Sequence, residues 1–151
     1  MRSVELLKMN ILYFVFKMDG VLNDFESSDI FRTFCTFEMR IIGRKIILKL
    51  KWKNIGNKKL CNAIDQLLAD LETFDFKVAT ITDIRKDADC VHSEGFYFFN
   101  IHIHRTLILI EMDDEGEATL VWAGSHQEYE RTFKNNKATI AKWLRTKNYI
   151  E

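Results

Sequence analysis

The run Leu107-Ile108-Leu109-Ile110 sets the first limit on the fold. It lies within residues 104–111, whose β-branched and apolar content reads as a strand. Successive side chains of a strand point to opposite faces, so an unbroken apolar run needs apolar cover on both. Two further strands flank it, Phe96 to His102 on one side and Glu117 to Gly124 on the other. The cluster Met112-Asp113-Asp114-Glu115-Gly116 separates the second strand from the third, with Gly116 free to take a positive φ. The two strands are therefore expected to pair as an antiparallel hairpin.

A different period precedes them. Leu60, Ile64, Leu67, Leu68 and Leu71 recur at three- and four-residue spacing, the stripe of an amphipathic helix over 57–73. Asn57 is placed to cap its start. Ile46, Ile47, Leu50 and Trp52 suggest a shorter helix over 44–52 with a basic outer face. Residues 73–89 are polar and mixed, a loop with a short helical piece. Ile140, Trp143 and Leu144 mark a C-terminal helix over 136–147. Helices first and strands later make an α+β chain. The expected architecture is a small antiparallel sheet, with the N-terminal helices packed on one face and a C-terminal helix.

The first 38 residues differ in composition from the rest and hold half of the twelve phenylalanines. They are read as an N-terminal extension to a domain spanning 39–151. Met39 can serve as a translation start; alternatively, residues 1–38 add a strand and helix to the same core. The apolar run Ile11 to Phe16 is far shorter than the ~20 residues a membrane helix needs. Glu5 and Lys8 interrupt what a signal peptide would keep apolar. The three cysteines, Cys35, Cys61 and Cys90, form no CxxC pair and fit reduced thiols. The expected location is the cytoplasm, with no membrane partner.

Lysine and arginine total 22, as do aspartate and glutamate, so no strong overall field pulls the chain toward nucleic acid. The balance conceals segregation. Residues 40–59 contain eight basic side chains and no acid, and residues 131–147 contain six and none. Arg44, Lys45, Lys49 and Arg131 are candidates for an RNA-facing surface, with Trp52 and Trp143 as stacking planes. Both tryptophans also sit in apolar stripes, where a core role is the plainer reading.

The third strand runs into Gly124-Ser125-His126-Gln127-Glu128-Tyr129-Glu130-Arg131. A histidine, carboxylates, a phenol and a guanidinium thus gather at a strand end, where a rigid sheet can aim them into a cleft. Histidine and glutamate relay protons near neutral pH, and arginine binds phosphate through paired N–H groups. This set suits RNA cleavage by the chain's own 2′-hydroxyl. A base takes the hydroxyl proton, an acid protonates the leaving 5′-oxygen, and a cation stabilises the crowded phosphorus. Such a reaction needs neither metal nor cofactor. The plain alternative is a helix start with ordinary polar side chains.

Phe99-Asn100-Ile101, Arg105-Thr106-Leu107-Ile108 and Val121-Trp122-Ala123-Gly124-Ser125-His126-Gln127-Glu128-Tyr129 together resemble the HigB toxins of the RelE-like superfamily. Met39-Arg40-Ile41-Ile42 looks like the usual start of those proteins, and the resemblance covers about 39–134. Ser125 stands where threonine is usual, and the link Ile101-His102-Ile103-His104 is shorter than the family's turn. The resemblance implies a ribosome-dependent mRNA endonuclease, the toxic half of a type II toxin–antitoxin pair. Its implied partners are the ribosome, mRNA and a cognate antitoxin of helix-turn-helix type. It implies catalytic candidates at Arg105, His126, Glu128 and Tyr129: Arg105 for the scissile phosphate, His126 and Tyr129 for proton transfer or stacking. Glu128 is either catalytic or structural. A non-catalytic module that pairs with an antitoxin is the main alternative, and a gyrase-poisoning relative is a third.

His102 and His104, at i and i+2 on an expected strand, share a face and invite a metal site with Cys90, His92 or His126. Two ligands do not make a site, so none is assigned. His104 is instead a candidate to approach RNA phosphate.

Overall fold

The computed structural model describes residues 39–113 and 115–151, so the expectations for 1–38 lie outside it. In chain order the elements are β1 (Arg40–Ile42), α1 (Arg44–Lys53), α2 (Lys58–Glu72), α3 (Ile81–Ile84) and β2 (Asp89–His92). There follow β3 (Phe96–Ile101), β4 (His104–Glu111), β5 (Glu117–Ser125), α4 (His126–Phe133) and α5 (Lys137–Thr146). The sheet has the order β1-β5-β4-β3-β2. Its β5-β4-β3-β2 part is antiparallel, and β1 joins β5 in parallel.

The class is α+β, but the expected small antiparallel sheet is a five-stranded mixed one. Its edge strands explain the difference. β1 has three residues and β2 four, too few for an alternating pattern to register in the sequence. The parallel edge is held by the Arg40–Glu117 register pair, whose side chains form an ion pair.

The apolar run in β4 has the double cover it demands. Ile108 and Ile110 pack with Leu60, Ile64, Leu67 and Leu71 of α2 and with Ile47 of α1. Leu107 packs with Phe96, Phe98, Tyr129, Phe133, Ile140 and Leu144. Helices therefore cover both faces: α1 and α2 one, α4 and α5 the other. The expected N-terminal layer on one face is present, and the C-terminal segment is two helices that complete the opposite one.

Local chemistry sets the helix limits. The Asn57 side chain accepts the Leu60 N–H at 3.1 Å and starts α2. Asn136 accepts from Ala138 and Thr139 and starts α5. Gly116 has φ 70°, and a Cβ there would lie 2.3 Å from the Phe76 ring, so only glycine fits the turn before β5. Trp52, expected in an apolar stripe, is 71% exposed, because only Ile47 of α1 is fully buried. Among the described residues no helix is long and apolar enough to cross a membrane.

Candidate active site

The site is built where β4 and β5 end and α4 begins. β5 carries an extra residue, Val121, opposite the Leu107–Ile108 step. Through this bulge Val121 and Trp122 both contribute to the aromatic layer, and the alternation resumes with Ala123. Arg105 then stands opposite Gly124, and His104 opposite Ser125. A Cβ on Gly124 would meet the Trp122 ring at 2.6 Å and Glu128 Oε2 at 3.0 Å, so the glycine leaves room for both side chains.

Ser125 ends the strand and caps α4. Its hydroxyl accepts the Glu128 N–H at 3.2 Å, and Glu128 Oε2 accepts the Ser125 N–H at 2.7 Å. This is a capping box, the S-x-x-E signature of a helix start. The Ser125 N–H bond and then its hydroxyl hold the Glu128 carboxyl below its ordinary range. Burial opposes this, while Arg131 and His104 assist it to a smaller extent. Glu128 thus has a structural use at this position.

Three of the four catalytic candidates meet on the aromatic face. The Arg105 guanidinium carbon lies 4.3 Å from the centroid of the Tyr129 ring, a cation–π contact. The His126 ring lies near that of Tyr129, at 6.1 Å between centroids and 20° between planes. His126 Nε2 is 3.1 Å from Glu130 Oε1, one helical turn on. The His126 N–H donates to the Ile103 carbonyl at 3.3 Å, tying the start of α4 to the β3–β4 turn.

Tyr129 is only 2% exposed, and its hydroxyl bonds Asn135 Oδ1 at 2.9 Å. Its ring meets Phe98 edge-on at 4.9 Å and Phe133 at 5.7 Å. It serves as a buried platform that positions Arg105, and offers no open face for a base to stack on. Of the three on this face, His126 is exposed and Arg105 half-buried, so a ligand can reach these two but not the Tyr129 ring.

The remaining candidates fall elsewhere. Arg44 pairs with Glu72, and Lys45 is exposed on α1. Lys49, His104 and Arg131 line a separate cleft of about 510 Å³ with Glu128, on the α1 side of the sheet. Lys53, Asn54 and Gln127 line it too and were not singled out from sequence. One signal for Lys53 was available: Lys49 and Lys53 are four apart on a helix and so share a face.

His102 and His104 do not share a strand face. His102 sits in the two-residue turn between β3 and β4 with φ 60°, exposed, whereas His104 begins β4 and is buried. Among the described residues no three His, Cys, Asp or Glu side chains converge as metal ligands. No protein-family model matches the sequence, and no curated protein matches it.

Proposed function

We propose that the chain is a RelE-like toxin that cleaves mRNA without a metal, acts on the ribosome in the cytoplasm, and is restrained by a cognate antitoxin. The observation that carries this reading is the meeting of Arg105, Tyr129 and His126 at one rim. Arg105, fixed over its aromatic platform, neutralises the scissile phosphate. His126, oriented by Glu130, takes the proton of the ribose 2′-hydroxyl. The 2′-oxygen bonds to phosphorus, the bond from phosphorus to the 5′-oxygen breaks, and the leaving oxygen takes its proton from solvent. A chain of zero net charge gains little affinity for free RNA from its overall field, which suits a substrate delivered by the ribosome.

A specific observation favours the non-catalytic module instead. The Tyr129 hydroxyl is taken by Asn135 and Glu128 Oε2 by the Ser125 N–H, so two of the four candidates already have uses within the protein. Expression in a bacterial host separates the two readings. The cleavage reading expects growth arrest and mRNA fragmentation, relieved by Arg105→Gln or His126→Ala with losses of about 100-fold or more. Harmless expression of the unaltered chain, with intact mRNA, would sink it.

A further inference from the structure

The face of the sheet opposite Arg105 holds a second cluster of charge. α1 carries Arg44, Lys45, Lys49, Lys51 and Lys53. Arg44 and Lys51, toward α2, are neutralised by Glu72 and Asp65. Lys49 and Lys53 have no such partner among the described residues, nor does Arg131 of α4. These three cations line one cleft of about 510 Å³ whose single acid is Glu128. The Glu128 carboxylate already accepts the Ser125 N–H.

His104 lies in the wall of the same cleft. It is 8% exposed, and its Nδ1 is buried with no hydrogen-bond partner. An imidazole nitrogen buried without a partner costs free energy unless a ligand serves it. Three unpaired cations beside a hydrogen-bonding group short of a partner describe a receptor for a compact, oxygen-rich anion. Ser125 and Gln127, at the start of α4, bring the positive end of a helix to the same place.

We propose that this cleft is a phosphate-binding site, in which Lys49, Lys53 and Arg131 neutralise the anion and the His104 imidazole hydrogen-bonds it. The site lies across the sheet from the Arg105 rim and does not depend on RNA cleavage there. Binding takes up a proton. The groups around His104 are Lys49 and Lys53 from α1, Glu128 and Arg131 from α4, and His102 from the β3–β4 turn. Burial, together with His102, holds the His104 imidazole toward its neutral form, against the pull of Glu128. An anion in the cleft reverses that balance, because it stabilises the imidazolium.

The test is calorimetric titration of the full chain with two probes. Sulfate mimics a free phosphate with a charge that is constant from pH 5.5 to 7.5. A 2′-O-methyl hexaribonucleotide supplies phosphodiesters that cannot be cleaved through a 2′-hydroxyl. The double substitution Lys49→Gln, Lys53→Gln is expected to weaken binding of sulfate at least tenfold, whereas Lys86→Gln, exposed and away from the cleft, leaves it unchanged. Sulfate affinity is expected to rise several-fold from pH 7.5 to 5.5, and His104→Phe to flatten that rise. If the oligonucleotide shows the same lysine dependence, the phosphate comes from RNA; if only sulfate does, the ligand is a small phosphate compound. Equal losses in the double variant and Lys86→Gln, or no binding of either probe, would overturn the proposal.

Discussion

The two layers that enclose the sheet are built from different materials. Under α1 and α2 the packing is mainly aliphatic, with Leu60, Ile64, Leu67, Leu71, Ile108 and Ile110 beside Phe74 and Phe99. Under α4 and α5 it is aromatic. Phe98 meets Phe133, Trp122 meets Phe133, and Phe133 meets Trp143, each at 5.2 Å and steeply inclined. Aliphatic packing tolerates exchanges that conserve volume. Edge-to-face rings are directional, so moving one changes the angle of the next. The Arg105 rim rests on the directional layer through Tyr129, and the lysine cleft borders the tolerant one. Geometry at the rim is thus tied to core packing, whereas the cleft depends chiefly on unpaired charge.

Phe98→Ala should have the largest effect on this contrast. It removes the ring that meets Tyr129 edge-on and is expected to cost about 3–5 kcal/mol by denaturant unfolding. Chains that still fold should lose the Arg105 platform and with it growth arrest. Ile64→Val on the aliphatic side should cost about 0.5–1.5 kcal/mol and leave arrest intact. Equal loss of arrest in the two variants would erase the distinction between the layers.

Tyr129→Phe is a finer probe. It keeps the ring beneath Arg105 and removes only the bond to Asn135, so unfolding should show a loss of about 1 kcal/mol. Growth arrest should persist. Its disappearance in a folded variant would mean that the hydroxyl acts in the reaction and the ring is more than a support.

The smallest effect concerns pH. Burial first, and His102 second, lower the His104 imidazole, while Glu128 works the other way. A group lowered in the folded state contributes stability above its unfolded pKa and loses it as pH falls through the folded one. Melting temperature should therefore begin to drop as pH falls below about 6.5, the ordinary imidazole value. His104→Phe should flatten this part of the profile. Glu128 is also lowered, so its contribution is lost in a more acidic window, below the usual carboxylate range. An unchanged slope in His104→Phe would mean that another group drives the first drop.

Much of the fold was legible in the chain because it rests on long periodic segments. The stripe from Leu60 to Leu71 gave α2 nearly to the residue, and Asn57 marked its start by its side chain. The run at Leu107 called for two covers and has them. The edge strands escaped because three or four residues carry no period. Of the candidate site, Arg105, His126 and Tyr129 were found as neighbours in pattern, but their relation was not visible. That relation depends on the bulge at Val121, which leaves no mark in the sequence. From the sequence Glu128 stood as either catalytic or structural, and its reciprocal bonds with Ser125, which cap α4, became visible only in the structure. Trp52 misled because an apolar residue at helical spacing need not face the core when its helix is only shallowly buried.

The parallel pairing of β1 with β5 has a consequence for the order of assembly. Residues facing each other across that edge, Arg40 and Glu117, are 77 positions apart in the chain. By contrast, β3 and β4 are joined by the two residues His102 and Ile103. Local pairings close small loops, while a distant pairing adds about 0.6 kcal/mol of closure entropy for each doubling of loop length. Of the described strands, β1 is the first to emerge during synthesis and its partner β5 the last. The earliest of these strands is thus the last that can be seated. Until it is, the outer edge of β5 presents unpaired N–H and C=O groups to any other extended chain nearby.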